Sequence, residues 1–128
     1  MCYEAIFPAA IVQGAERPGV LVNPTNDGWF GNTTGPRQHL HQARVRAAEE
    51  GIPILRVANN GISAVIDARG AVRQRLDLDV KGVIDAVVPG ALAPPPYARL
   101  GDGPFAAMLA VLVILIAAGS RGSRAARR

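Results

Sequence analysis

The strongest constraint on this chain lies near its end, where fourteen consecutive apolar residues run from Phe105 to Ala118 and Arg121, Arg124, Arg127 and Arg128 follow. A helix built from that run is apolar all round, so it has no polar stripe to turn toward water. It must be covered by a protein core or by lipid. With Gly103, Pro104 and Gly119 the stretch is seventeen residues, roughly 25 Å at about 1.5 Å per residue against a hydrocarbon core of about 30 Å. A buried core helix is the competing reading, and the arginines favour the membrane. The expectation is a transmembrane helix over 105–119 and a basic cytoplasmic tail over 120–128, with the preceding residues on the outer side.

The same tail accounts for the net charge. Fourteen Lys and Arg against ten Asp and Glu leave +4, and no acidic residue follows Asp102. The surplus equals the four tail arginines, so the rest of the chain is neutral. A basic balance of this kind is a topology signal, not the footprint of a nucleic-acid partner.

The remainder alternates between strand and helix signals. Pro8 suits the first turn of a short helix to about Gln13, and Val20 to Asn23 reads as a buried strand. A loop rich in Asn, Asp, Thr and Gly runs from Asn23 to Gly35 and carries the single tryptophan, Trp29, beside Phe30. Pro36 to Glu50 reads as a helix, capped near Thr34 or Gly35 and stopped by Gly51 and Pro53. It places Leu40, Ala43 and Ala47 on one face and sends Arg44 and Arg46 to different faces. Four short strand-like runs follow: Ile54 to Ala58, Ile62 to Asp67, Val72 to Leu76 and Val83 to Val88, with a hairpin signal at Arg69-Gly70. Pro89 to Pro104 is a stiff, proline-rich linker. The chain thus divides into an α/β part over 1–90, a linker over 91–104, the apolar helix over 105–119 and the tail over 120–128.

Cys2 is the only cysteine, so it forms no internal disulfide; it is either a nucleophile or an inert small side chain. His39 and His41 are two apart, a spacing that puts them on different faces of a helix, and they do not suggest a metal site. Asp27, Asn26 and Asn60 are expected to brace loops through side-chain hydrogen bonds.

The blocks Cys2-Tyr3-Glu4-Ala5-Ile6-Phe7-Pro8 and Val22-Asn23-Pro24-Thr25-Asn26-Asp27-Gly28-Trp29-Phe30-Gly31 resemble the nitrilase, or carbon-nitrogen hydrolase, superfamily. Gly35 to Leu40, Ala43 to Ala47 and Arg56 to Asp67 narrow the resemblance to its apolipoprotein N-acyltransferase family, from Cys2 to about Ala118. The resemblance implies an α/β fold: a partial nitrilase-like α-β-β-α sandwich followed by the transmembrane helix. It also implies a Glu-Lys-Cys triad of which only the cysteine, Cys2, can be carried over. Lys81 is the only lysine and does not match. The chain therefore reads as the C-terminal part of an enzyme, and its activity alone is expected to be deficient.

In such an enzyme Cys2 takes an acyl chain from a phospholipid as a thioester and passes it to the amine of a diacylglyceryl-cysteine on an apolipoprotein, with no cofactor and no metal. The resemblance places the reaction at the bacterial inner membrane, with the catalytic part facing the periplasm. It makes Glu4 an active-site group that orients the triad, although a helix-start carboxylate is an equal reading. Tyr3 follows the nucleophile, where a backbone N–H helps bind the oxyanion. Trp29 and Phe30 are expected to line an acyl-chain pocket, with core packing as the alternative. Two other functions stay open: a soluble nitrilase-type amidase, and a non-catalytic, membrane-anchored remnant.

Overall fold

The structure, a computed structural model, describes residues 3–8, 11–12 and 16–125, with the side chains of Tyr3 and of residues 119–125 left out. Its centre is a four-stranded sheet in the order β1 (Leu21–Asn26), β2 (Ile54–Asn59), β3 (Ser63–Ile66), β4 (Val72–Leu76). β1 and β2 are parallel, joined through helix α1 (Gly35–Glu50), and the β2–β3 and β3–β4 pairs are antiparallel. Pro24 sits within β1. This is tolerated because β1 is, among the described strands, an edge strand paired on one side.

One face of the sheet holds the core. Leu21, Ile54, Ala64 and Ile66 point inward and meet Leu40, Ala43 and Ala47 of α1, with Ile52 and Ile62 closing the cluster. The inward face of α1 also carries His39, Arg46 and Glu50, all buried. The opposite sheet face is open over β1 and the end of β2, with Val22 and Val57 55% and 60% exposed, whereas Val65 of β3 is buried.

Pro36 and Gly51 bound α1 as their chemistry demands. Pro36 lies in the first turn, where no amide hydrogen is needed. Gly51 takes the left-handed conformation at φ 64°, its N–H bonded to the Ala47 carbonyl. A side chain there would also meet Pro95 Cδ at 2.9 Å, so glycine is required twice over.

The β3–β4 turn is built on Asp67. Its Oδ1 accepts the backbone N–H groups of Arg69 and Ala71, each at 2.9 Å, and Oδ2 pairs with Arg73 at 2.6 Å. Arg44 of α1 donates to the Gly70 carbonyl at 2.9 Å, tying the turn to the helix. The expectation that Arg44 and Arg46 diverge holds, because Arg46 instead pairs with Glu49 at 2.8 Å.

Four expectations need correction. Val83 to Val88 forms no strand: Val83 and Val87 are 91% and 92% exposed, and no described strand lies beside them. Its β-branched residues favour an extended chain, but extension without a partner does not make a ladder. The proline-rich linker is partly helical, since α2 (Pro96–Leu100) starts on its third consecutive proline. The Leu92 N–H bonds the Gly51 carbonyl at 2.8 Å, strapping the linker to the end of α1.

Finally, the apolar run lies in α3 (Gly103–Ala125), but among the described residues no helix is long and apolar enough to cross a membrane. The fourteen-residue run gives roughly 21 Å of apolar helix, well below about 30 Å. At the other end, Tyr3–Ile6 is a 3-10 turn, and Ile11 and Val12 are not helical. The rest of the short helix expected after Pro8 lies outside the described residues.

Burial by itself would raise the Asp67 carboxyl, but the Ala71 and Arg69 amides and the Arg73 guanidinium outweigh it and hold the group below its usual range. Arg73 is largely exposed, so the two backbone bonds carry most of the effect. The folded value lies below an unfolded value of about 3.9. The stabilisation is therefore complete above that value and is lost as pH falls through the folded one. Asp67→Asn is expected to cost about 1–3 kcal/mol at neutral pH in urea denaturation. A gap from the parent that did not shrink on acidification would contradict this account.

Candidate functional site

Parallel strands place ligands beyond their carboxyl ends, where the chain turns back and leaves a crevice. Here that region follows Asn26 of β1 and Asn59 of β2, which are register partners. A polar cavity of about 240 Å³ opens there, lined by Asp27, Gly28, Gly31, Asn32, Asn60 and Asp79. Asn60 turns into β3 at φ 56°, a conformation asparagine tolerates well.

Asp27 is the hub of this region and is almost wholly buried. Its Oδ2 pairs with Arg56 Nη2 at 2.7 Å and its Oδ1 accepts from His39 Nδ1 at 2.8 Å. Arg56 is buried too; its Nη1 donates to Asn23 Oδ1 at 2.6 Å and its Nε to the Ile62 carbonyl at 3.2 Å. Asn23 and Arg56 are Cα partners across β1 and β2. Their side chains therefore meet on the inward face. Gly61 leaves the room this needs, since a Cβ there would overlap the Asp27 carboxylate.

The loop after Asp27 presents the aromatic pair. Gly28–Phe30 is a 3-10 turn whose Phe30 N–H bonds the Asp27 carbonyl at 3.0 Å. Gly28 N–H bonds Asn26 Oδ1 at 3.0 Å, and Thr33 Oγ1 donates to the Phe30 carbonyl at 2.8 Å. Trp29 projects from this turn, 84% exposed. Phe30 is half-buried and meets the His39 ring edge-on, with centroids 6.2 Å apart at 72°.

The residues expected to form the site are only partly visible. Cys2 lies outside the described residues. Tyr3 begins the 3-10 turn, and its side chain is outside the description. Glu4 is exposed in the same turn, while Ala5 beside it is buried. That turn packs on α1, which also carries His39 and so touches Phe30. One helix thus supports both the segment after Cys2 and the aromatic loop. Asp27, Asn26 and Asn60 do brace loops, as expected of them. The roles of Arg56, Asn23 and His39 were not anticipated. Among the described residues no group of three or more His, Cys, Asp or Glu could hold a metal ion.

Comparison with known proteins decides the family. The carbon-nitrogen hydrolase model matches residues 1–93. This chain belongs to the carbon-nitrogen hydrolase family. It is also a homologue of apolipoprotein N-acyltransferases, being 56% identical over 115 residues to that of Bradyrhizobium diazoefficiens, a match covering 90% of this chain and 21% of the relative. The corresponding protein of Rhodopseudomonas palustris is 52% identical over 116 residues, covering 91% and 22%, and that of Sinorhizobium fredii 46% over 121 residues, covering 94% and 23%. The chain spans about a fifth of the length of the curated relatives it matches. In this hydrolase-family chain the buried Asp27 network lies within the matched residues.

Removing one member of a buried ion pair strands the other charge, which typically costs about 3–5 kcal/mol. Arg56→Met is expected to cost that much in urea denaturation, and adding Asp27→Asn should recover part of it. Strictly additive losses would show that the two groups are not coupled.

Proposed function

We propose that this chain contributes the nucleophile-bearing segment of an apolipoprotein N-acyltransferase. The observation that carries the reading is 56% identity over 90% of the chain to a protein of that name. Cys2 is the nucleophile. Its thiolate attacks the ester carbonyl of a phospholipid, the ester C–O bond breaks, and the lysophospholipid leaves as an alcohol after protonation. The amine of a diacylglyceryl-cysteine then attacks the thioester, the C–S bond breaks, and the thiolate is regenerated as the amide forms. Glu4 supports the nucleophile, and the Tyr3 backbone N–H faces the developing oxyanion. Trp29 and Phe30 give the acyl chain apolar contact area at low entropic cost.

Location at the bacterial inner membrane follows from the same reading. The described part of α3 exposes Phe105, Met108, Leu109, Val111, Leu112 and Ile114 around its whole circumference, an arrangement stable in lipid and not in water. Alkaline carbonate extraction of membranes from cells expressing the chain is expected to leave it in the pellet. Recovery in the supernatant would refute membrane attachment.

The chemistry is tested by replacing the matching stretch of the Bradyrhizobium relative with this chain. The hybrid is expected to form a hydroxylamine-sensitive adduct with labelled phospholipid. Cys2→Ala should abolish it, and Cys2→Ser should lose at least about a thousandfold in turnover. An adduct that survives Cys2→Ala would end the assignment. Hydrolysis of small amides with no transfer to a lipopeptide amine would favour the amidase reading.

A further inference from the structure

One buried residue takes no part in the reaction outlined above. His39 lies in the second turn of α1 and is buried, yet it touches both ends of the Trp29 turn. Its Nδ1 bonds the Asp27 carboxylate at 2.8 Å, just before the turn, and its ring meets Phe30 at the end of it. A carboxylate oxygen only accepts, so Nδ1 carries the hydrogen. On the far side, Arg56 and the sheet hold Asp27 fixed. The other bonds to the turn run through the exposed loop: Asn26 Oδ1 accepts the Gly28 N–H, and Thr33 Oγ1 donates to the Phe30 carbonyl and accepts the Gly35 N–H of α1 at 3.2 Å, while Arg37 of α1 donates to the Thr33 carbonyl at 2.8 Å. These bonds reach the first turn of the helix but are open to water, whereas the His39–Asp27 bond is buried.

We propose that His39 is a positioning residue: it fixes the Trp29–Phe30 turn against α1, through its bond to Asp27, so that the turn presents a set apolar surface to the acyl chain of the donor lipid. The acyl-chain part rests on the N-acyltransferase reading, whereas the positioning part does not. The bond, rather than the ring contact, carries the effect, because a buried hydrogen bond to a charged group is worth more than one edge-on aromatic contact. Trp29 needs such a device. An exposed side chain on a turn held otherwise by water-exposed loop bonds would sample many orientations, and each would have to be reordered when a ligand binds.

Two substitutions separate the contributions. His39→Phe keeps a ring against Phe30 and loses the bond. His39→Asn loses the ring and keeps a nitrogen donor near the place of Nδ1. The first measurement is amide hydrogen exchange on the full chain in detergent micelles. His39→Phe is expected to speed exchange at the Asp27 and Phe30 amides about ten- to a hundredfold, with the sheet amides of Leu55 and Val65 unchanged. His39→Asn should restore most of the protection. Unchanged exchange at Asp27 and Phe30 in His39→Phe would overturn the proposal. So would loss of protection spreading to Leu55 and Val65, since that would make His39 a general stability residue.

The second measurement is thioester formation in the hybrid enzyme. His39→Phe is expected to raise KM for the phospholipid about tenfold while kcat changes less than about threefold, and His39→Asn to return KM toward the parent value. A fall in kcat at constant KM would place His39 in the chemistry and overturn the positioning role. An inactive parent hybrid would sink the N-acyltransferase reading alone, and the exchange data would still decide whether His39 holds the turn.

Discussion

The arrangement depends on a single buried ion pair, Arg56 with Asp27. Such a pair adds little net stability, because desolvating two charges consumes most of their attraction. Its effect is on specificity. Asn23 and Arg56 face each other in register on the inward side of β1 and β2. Slipping β2 by one residue would turn Arg56 to the open face and leave the Asp27 carboxylate buried without its cation. The apolar contacts on that side oppose the same slip, since it would turn Ile54 away from Leu21, Leu40 and Ile66. The polar network and the apolar face therefore specify one strand pairing, and the network adds a charged partner that fixes the loop leaving β1.

Much of this fold was legible in the sequence, and the parts that were not share a cause. Pro36 and Gly51 mark the limits of α1 because each carries a backbone restriction that acts locally. Three of the four strand-like runs pair as strands. Val83 to Val88 has the same composition and does not, because pairing depends on a neighbour that no local pattern specifies. The network around Asp27 was missed for a similar reason, since Asn23, Asp27, His39 and Arg56 are spread over 34 positions of the sequence. One signal was available: in β1 and β2 the polar residues Asn23, Thr25 and Arg56 fall at the same alternate positions as the buried Leu21 and Ile54. Polar side chains on the core parity of two successive strands indicate that they satisfy one another. Cys2 became interpretable only through the resemblance of its neighbouring residues to a family, since a lone thiol has no geometry in sequence.

The chain also joins two parts with opposite solvent requirements, and α1 lies between them. The aromatic turn meets α1 near its start, at His39, while the linker toward α3 is bonded at its end, through Leu92 and Gly51. His39 and Glu50 are eleven positions apart, roughly 16 Å along the helix axis. The root of the apolar helix is therefore fastened at the end of α1 remote from Trp29. Its connection is stiff, with consecutive prolines leading into α2 and Tyr97 Oη donating to Asp102 Oδ1 at 3.0 Å at the start of α3. Two attachments at opposite ends of one helix keep α3 and the Asp27 network apart: the linker toward α3 is bonded to the end of α1, and the network sets the Trp29–Phe30 turn near its start. A change that loosens the first should leave the geometry of the second intact, because the bonds that define the turn run to β1, β2 and the first turns of α1 and not to the linker.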